Sequence, residues 1–260
     1  MINYTFSLKE LEYFLLIFVR VSMFIYIAPF YGMRGVPRQV KIGLSFFVAL
    51  LLFQVITPHD YPVYGTVWGY AVIVMKEALT GLLIGMGANI CTTILAFAGR
   101  IIDMETGMAM SNLVDPTTKE MTSVSGVLYQ YMVTLILIIS GMYQYLLKAL
   151  AETYQLIPVN GAVIRSEAVV SSLIGFLGNY ISIGFRICLP VFAVMLLLNA
   201  VLGIMARVAP QMNMFSVGMQ LKVLVGICVL FITTGMIPGM ADFIYTEMKM
   251  MVVDMVEALM

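Results

Sequence analysis

The run "ALTGLLIGMGANICTTILAFAG", residues 78–99, decides the fold. It contains no charged residue. A bilayer core is crossed by about 20 predominantly apolar residues in one helix, so a run of this length and polarity is a membrane helix. Lys76 and Glu77 stand directly before it. Directly after it comes "GRIIDMETGMAMSNLVDPTTKEM", residues 99–121, with six charges: Arg100, Asp103, Glu105, Asp115, Lys119 and Glu120. Residues 121–147 are again free of charge. A polar, methionine-laced insert therefore lies between two greasy runs.

The rest of the chain has the same character. Of its 260 residues 62% are hydrophobic and 11% charged, with a mean hydropathy of +1.00. Soluble domains sit nearer 45–50% apolar and about 25% charged. The composition is that of an integral membrane protein or a subunit buried in a larger apolar assembly. The net charge of zero gives no footprint for nucleic acid. Cys91, Cys188 and Cys228 lie far apart in apolar runs and read as small buried hydrophobes. The single histidine, His59, falls in the turn-like "TPHDYP". "MINYTFSLKELEYF" has no positive residue ahead of its first apolar run, so a cleaved signal is not expected. "SLKE" matches a capping box, with Ser7 as N-cap and Glu10 three residues on, and places the first helix start there.

Seven runs approach membrane length: 13–33, 42–58, 61–75, 78–99, 121–147, 168–206 and 223–241. A simple count gives six or so spans. Arg20, the Lys76–Glu77 pair, Arg186 and Arg207 interrupt these runs. A charge at mid-bilayer costs roughly 2.5–3.5 kcal/mol, so such residues are expected to face protein or a wet cavity. Lys76 is the neighbour available to pair with Glu77. Gly81 and Gly85 in "GLLIG" give a small-xxx-small spacing that lets helices approach closely. Pro29, Pro37, Pro190, Pro210 and Pro238 are expected to kink or stop helices. Arg34, Arg38 and Lys41 point to a cytoplasmic loop by the positive-inside rule. In the C-terminal stretch "DFIYTEMKMMVVDMVEALM" the apolar positions 244, 248, 251, 252, 255 and 259 repeat at helical period. It reads as a helix end emerging into water or as a docking helix for a partner.

Signatures of catalysis are absent: no phosphate-binding glycine loop, no HExxH and no GxSxG, while one histidine leaves no room for a histidine triad. Asp103 and Glu105, two apart, point away from each other on a helix. The chain is expected not to be an enzyme and to need no cofactor or metal. Broken helices with Gly and Pro near polar residues also suit a secondary transporter, for which Glu77 is the candidate coupling site and an internal repeat would be expected. No repeat of useful strength is present. A membrane scaffold without a channel is a third class.

Four stretches, in order, carry a family resemblance: "VRVSMFIYIAPFYGMRGVPRQVK", "EALTGLLIGMGAN", "AGRIIDMETGMAMSNLVDP" and "FRICLPVFAVMLLLNAVLGIMARVAPQMNMFSVGMQLK". Together they cover about residues 19–222. The sequence resembles the FliR family of flagellar export-gate proteins and its injectisome T-type relatives. The resemblance implies an all-α fold of bent helical hairpins, with a P-type-like part over about 1–185, including the loop at 100–120, and a Q-type-like hairpin with the C-terminal helix over about 186–260. It implies a structural and gating subunit of the flagellar type III export channel in the bacterial inner membrane, at the flagellar basal body. The partners implied are FliP-like and FliQ-like subunits, FlhB-like and FlhA-like proteins, and the exported unfolded flagellar proteins. Injectisome membership is the nearest alternative.

By the same resemblance the insert is similar to a loop that plugs the closed channel, with Glu105, Gly107, Met108, Met110, Asn112, Asp115 and Pro116 as its residues. Its methionines, Met104, Met108, Met110 and Met121, suit packing that must re-form. Gly107 adds backbone freedom and Asp115–Pro116 a turn. Residues 106–118 are expected to move when substrate enters. The family-motif residues expected to be structural or at interfaces are Arg20, Pro29, Gly32, Arg34, Pro37, Arg38, Glu77, Gly81, Gly85, Gly99, Asp103, Pro190, Arg207, Pro210, Gln211 and Asn213. Gln211 and Asn213 suit a helix break whose freed backbone groups need partners.

Overall fold

The structure is a computed structural model. It describes residues 8–33, 35–56, 61–111, 113–114, 121–211 and 213–260. Among these the fold is helical: α1 (Leu8–Ile27), α2 (Arg38–Val55), α3 (Val67–Thr106), α4 (Val124–Ile139), α5 (Met142–Leu156), α6 (Ser166–Val208), α7 (Met214–Thr233) and α8 (Ile237–Glu257). Between α3 and α4 lie a single 3-10 turn, Met108–Ser111, and two short strands, β1 (Leu113–Val114) and β2 (Met121–Thr122). The strands pair antiparallel, Leu113 opposite Thr122. Apart from this two-rung ladder, the secondary structure among the described residues is helical.

Local chemistry sets the helix ends. α1 begins at Leu8, directly after the expected cap Ser7, which lies outside the described residues. Pro37 precedes α2 with φ −57 and ψ 142, the extended entry that a proline favours. Ser123 caps α4 by accepting from Gly126 N at 2.9 Å, and Asn213 caps α7 by accepting from Ser216 N at 3.4 Å. Pro238 stands in the first turn of α8, directly after the 3-10 turn Thr234–Met236 that joins α8 to α7.

Several runs combine differently from expectation. Residues 61–75 and 78–99 do not form two spans: α3 runs through Lys76 and Glu77 for 40 residues, about 60 Å at 1.5 Å per residue and twice the bilayer core. α6 continues through Pro190 for 43 residues, so the expected break at that proline is absent. A transmembrane helix tolerates proline where other groups re-satisfy the freed carbonyl. The break falls instead in run 121–147, where α4 and α5 meet at 66° around Gly141, at φ 76. Among the described residues four helices are long and apolar enough to cross a membrane, or five if the bent α4–α5 pair counts as one. This corrects the count of six. α1 drops out because Lys9, Glu10, Glu12 and Arg20 crowd its 20 residues.

The chain divides into two compact units. The first comprises residues 1–91, 141–176 and 246–260. Its core includes Leu16, Ile17, Val21 and Phe24 of α1, Ile84 and Ala88 of α3, Leu146 and Leu150 of α5, and Met248 and Met255 of α8. α1 meets α2 through edge-to-face rings, Phe14 with Phe46 at 5.5 Å and with Phe53 at 6.0 Å. Gly81 and Gly85 line the face of α3 that receives α1. A Cβ on Gly85 would lie 3.0 Å from Phe24 O, and one on Gly81 would collide with the carbonyl of Arg20. The small-xxx-small spacing thus serves a contact within this chain. The C-terminal period is also used internally: Ile244, Met248, Met251, Val252, Met255 and Leu259 are all buried. The opposite face of these last turns, with Met250, Val253, Asp254 and Glu257, is exposed.

The second unit comprises residues 92–140 and 177–245. Ile94, Leu95 and Ile102 of α3, Tyr129 and Val133 of α4, Ile187, Val191 and Met195 of α6, and Leu230 of α7 fill it.

Candidate functional site

The corner between α3 and α4 supports the polar insert. α3 ends because Gly107 turns to φ 81, a conformation that a side chain disfavours. The last turn before it is buried rather than frayed. Ile102, Asp103 and Thr106 are all covered. Thr106 packs so closely on α7 that a Cβ on Gly226 would lie 2.7 Å from its methyl.

Asp103 gives this corner its chemistry. Its carboxylate accepts from Val124 N at 2.6 Å and from Ser125 N at 3.2 Å. These are free N–H groups of the first turn of α4, where the helix dipole also favours a negative charge. Directly below, Gly99 and Gly126 stand backbone to backbone, with no room for a Cβ on Gly99. Aspartate, serine and two glycines therefore hold the two stems of the insert together. Asp103 is thus buried and serves α4.

The residues expected to form the plug loop are spread over this corner. Glu105 lies half-buried in the last turn of α3, facing away from Asp103 as their spacing requires. Met108 is half-buried and opens the 3-10 turn that also contains Met110. Asn112, Asp115 and Pro116 lie outside the described residues, as does Arg34.

In the first unit, Arg20 and Glu77 form a fully buried ion pair. Nε donates to Oε2 at 2.6 Å and Nη2 to Oε1 at 3.0 Å. The expected partner Lys76 is not the one used. Glu77 reaches across to α1 because Gly81 brings that helix close. The Pro29–Gly32 turn comes after α1, with Pro29 buried and Phe30 at φ 70. Tyr31 Oη donates to Tyr143 O at 2.8 Å, and burial, with Tyr143 beside it, pushes this phenol up to about 12. Lys41 Nζ donates to Gly32 O at 2.8 Å and lies over the Tyr26 ring. Pro37 and Arg38 are exposed at the start of α2.

Pro190 sits inside α6, and Arg186 and Arg207 are exposed in the isolated chain, facing neither core. Pro210 and Gln211 form the exposed turn between α6 and α7, ahead of the Asn213 cap. Sequence reasoning missed Tyr154, Asn160 and the carbonyls of Ile157 and Pro158, all in contact with the buried pair. It also missed the buried Tyr129–Thr233 hydrogen bond at 2.9 Å. Among the described residues no cluster of His, Cys, Asp or Glu could hold a metal ion.

Comparison with known proteins gives a consistent result. The sequence pattern of the bacterial export proteins, family 1, matches residues 11–248. The chain is similar to the flagellar biosynthetic protein FliR of Bacillus subtilis, 31% identical over 86% of either chain. It is 25% identical to FliR of Escherichia coli over 93% of this chain and 91% of that one. It is 28% identical to the surface presentation of antigens protein SpaR of Shigella sonnei, over 85% of this chain and 84% of the relative.

Proposed function

Because this chain belongs to the bacterial export proteins, family 1, we propose that it is a structural and gating subunit of the flagellar type III protein export channel. It passes unfolded flagellar subunits across the inner membrane at the flagellar basal body. The observation that carries this reading is the match to flagellar FliR proteins along nearly the whole chain, at up to 31% identity. The chain is a membrane protein, and several of its long helices leave apolar faces open: Leu196, Leu197, Val201 and Ile204 on α6, and Ile227 and Phe231 on α7. FliP-like and FliQ-like subunits cover much of this surface, with FlhB-like and FlhA-like proteins below. The P-type-like part spans about residues 1–185 and the Q-type-like hairpin about 186–260.

The insert between α3 and α4 is the closed-state plug in this reading. Support comes from the stems of the insert, tied by the buried Asp103 and the Ser123 cap, which give a short polar segment a fixed base. The transporter reading loses its candidate site, since Glu77 is fully engaged by Arg20 and Asn160 N.

Deleting the gene in its own host tests the proposal. The deletion strain should lack filaments and retain flagellin in the cell, and the gene restored in trans should reverse both. A deletion strain that swims normally but fails to secrete injectisome substrates would move the assignment to the T-type relatives. Normal behaviour in both assays would end the export reading.

A further inference from the structure

Arg20 and Glu77 have no solvent exposure, and their mutual bonds leave part of each group free for other partners. Those free edges are used in an ordered way. Arg20 Nη1 donates to Ile157 O at 2.9 Å and Nη2 to Pro158 O at 3.4 Å. On the other side Glu77 Oε1 accepts from Asn160 N at 2.8 Å. The guanidinium also lies 4.3 Å from the centroid of the Tyr154 ring, whose hydroxyl donates to Ile17 O at 3.2 Å. All these partners sit at the end of α5 and in the connection to α6, except Ile17 O, which belongs to α1.

The pair therefore does more than cancel two charges. It presents donors on one edge and an acceptor on the other, matched to the carbonyls and the N–H of one turn of backbone. We propose that Arg20 and Glu77 are positioning residues for the α5–α6 connection, forming a polarised seat that recognises the backbone of residues 157–160. The turn held there is an unusual one: Asn160 takes φ 67 and Gly161 N returns to Pro158 O at 2.8 Å. Farther along the connection, Val163 N donates to Leu259 O at 3.0 Å, beyond the end of α8. Side-chain burial alone would not select this turn, since any apolar segment can fill an apolar gap. Matching of donors to carbonyls does select it.

A pair that only neutralised itself would be indifferent to its orientation. This seat is not. Exchanging the two residues would set a carboxylate against two carbonyls and a guanidinium against an N–H. The test uses the full chain, purified from host membranes with its native associates, as wild type, R20E/E77R, R20L/E77L and R20K. Hydrogen exchange is read at the amides of 160–163, with the amides of α1 and α5, which belong to the same unit, as the control for folding.

Both double variants should lose at least tenfold of the protection at 160–163 while α1 and α5 stay protected. R20K should fall between them and wild type, because one ammonium cannot span the carboxylate and both carbonyls. Wild-type protection in R20E/E77R would overturn the proposal in favour of simple neutralisation. Wild-type protection in R20L/E77L would overturn it in favour of apolar seating. Should neither double variant accumulate, R20K decides, and unchanged protection there also overturns the seat. The readout does not depend on the export reading, so either can fail alone.

Discussion

Arg20 and Glu77 are the residues on which the first unit is most exposed to damage. Removing one partner of a buried ion pair leaves an uncompensated charge and costs about 3–5 kcal/mol. Arg20→Ala and Glu77→Ala should each reduce the amount of folded chain in membranes severalfold, measured by immunoblot against wild type. Equal amounts would mean that water reaches the pair. Asp103 allows a finer distinction. Asparagine keeps one of the two acceptors that the carboxylate offers to Val124 N and Ser125 N, whereas alanine keeps neither, and loss of a cap costs roughly 0.5–2 kcal/mol. Asp103→Ala should therefore lower the thermal midpoint of the purified protein by more than Asp103→Asn. The reverse order would show that the carboxylate is not acting as a cap on α4. Little of this is legible in the sequence. Arg20 and Glu77 are 57 residues apart, and a pattern read along the chain offers Glu77 only its neighbour Lys76. Asp103 is 21 residues from Val124, across the insert, so its role as a cap for another helix leaves no local signature.

Helix type is easy to read from the sequence and helix boundaries are not. The GLLIG spacing and the apolar period from 244 to 259 rest on local rules, and the structure uses both. Boundaries fail where a local signal competes with tertiary context. Lys76 and Glu77 look like the gap between two spans, but Glu77 is neutralised by a partner on α1, so α3 passes through. Pro190 looks like a break and α6 continues. Gly141, lost in a charge-free run, is the bend, because only its positive φ turns α4 into α5. Gly99 gives the sharpest test at this scale. A Cβ there has no space against the backbone of Gly126, so Gly99→Ala must push α4 away from α3. Its cost should be at the upper end for overpacking, about 1–3 kcal/mol, read as a lower thermal midpoint. Gly43→Ala, where a Cβ meets nothing, should leave the midpoint unchanged or raised. Equal effects at the two positions would contradict the close α3–α4 contact.

For the whole molecule, the central question is what covers its apolar surface. Isolated soluble proteins rarely expose large contiguous apolar patches, and composition alone places this chain in lipid or in a larger assembly. Helices of 40 and 43 residues exceed a bilayer crossing by about twofold. Lipid therefore covers only part of them; in the proposed reading, partner subunits cover the apolar faces that the chain itself leaves open. Residues such as Arg186 and Arg207, expected to face protein, are exposed in the single chain. In the proposed reading, partner subunits cover them. Affinity purification of the tagged chain from native-host membranes in mild detergent, coupled to native mass spectrometry, tests this most directly. The account requires one copy of this chain bound to several copies of two other small helical membrane proteins. A free monomer, or a homodimer without them, would contradict it.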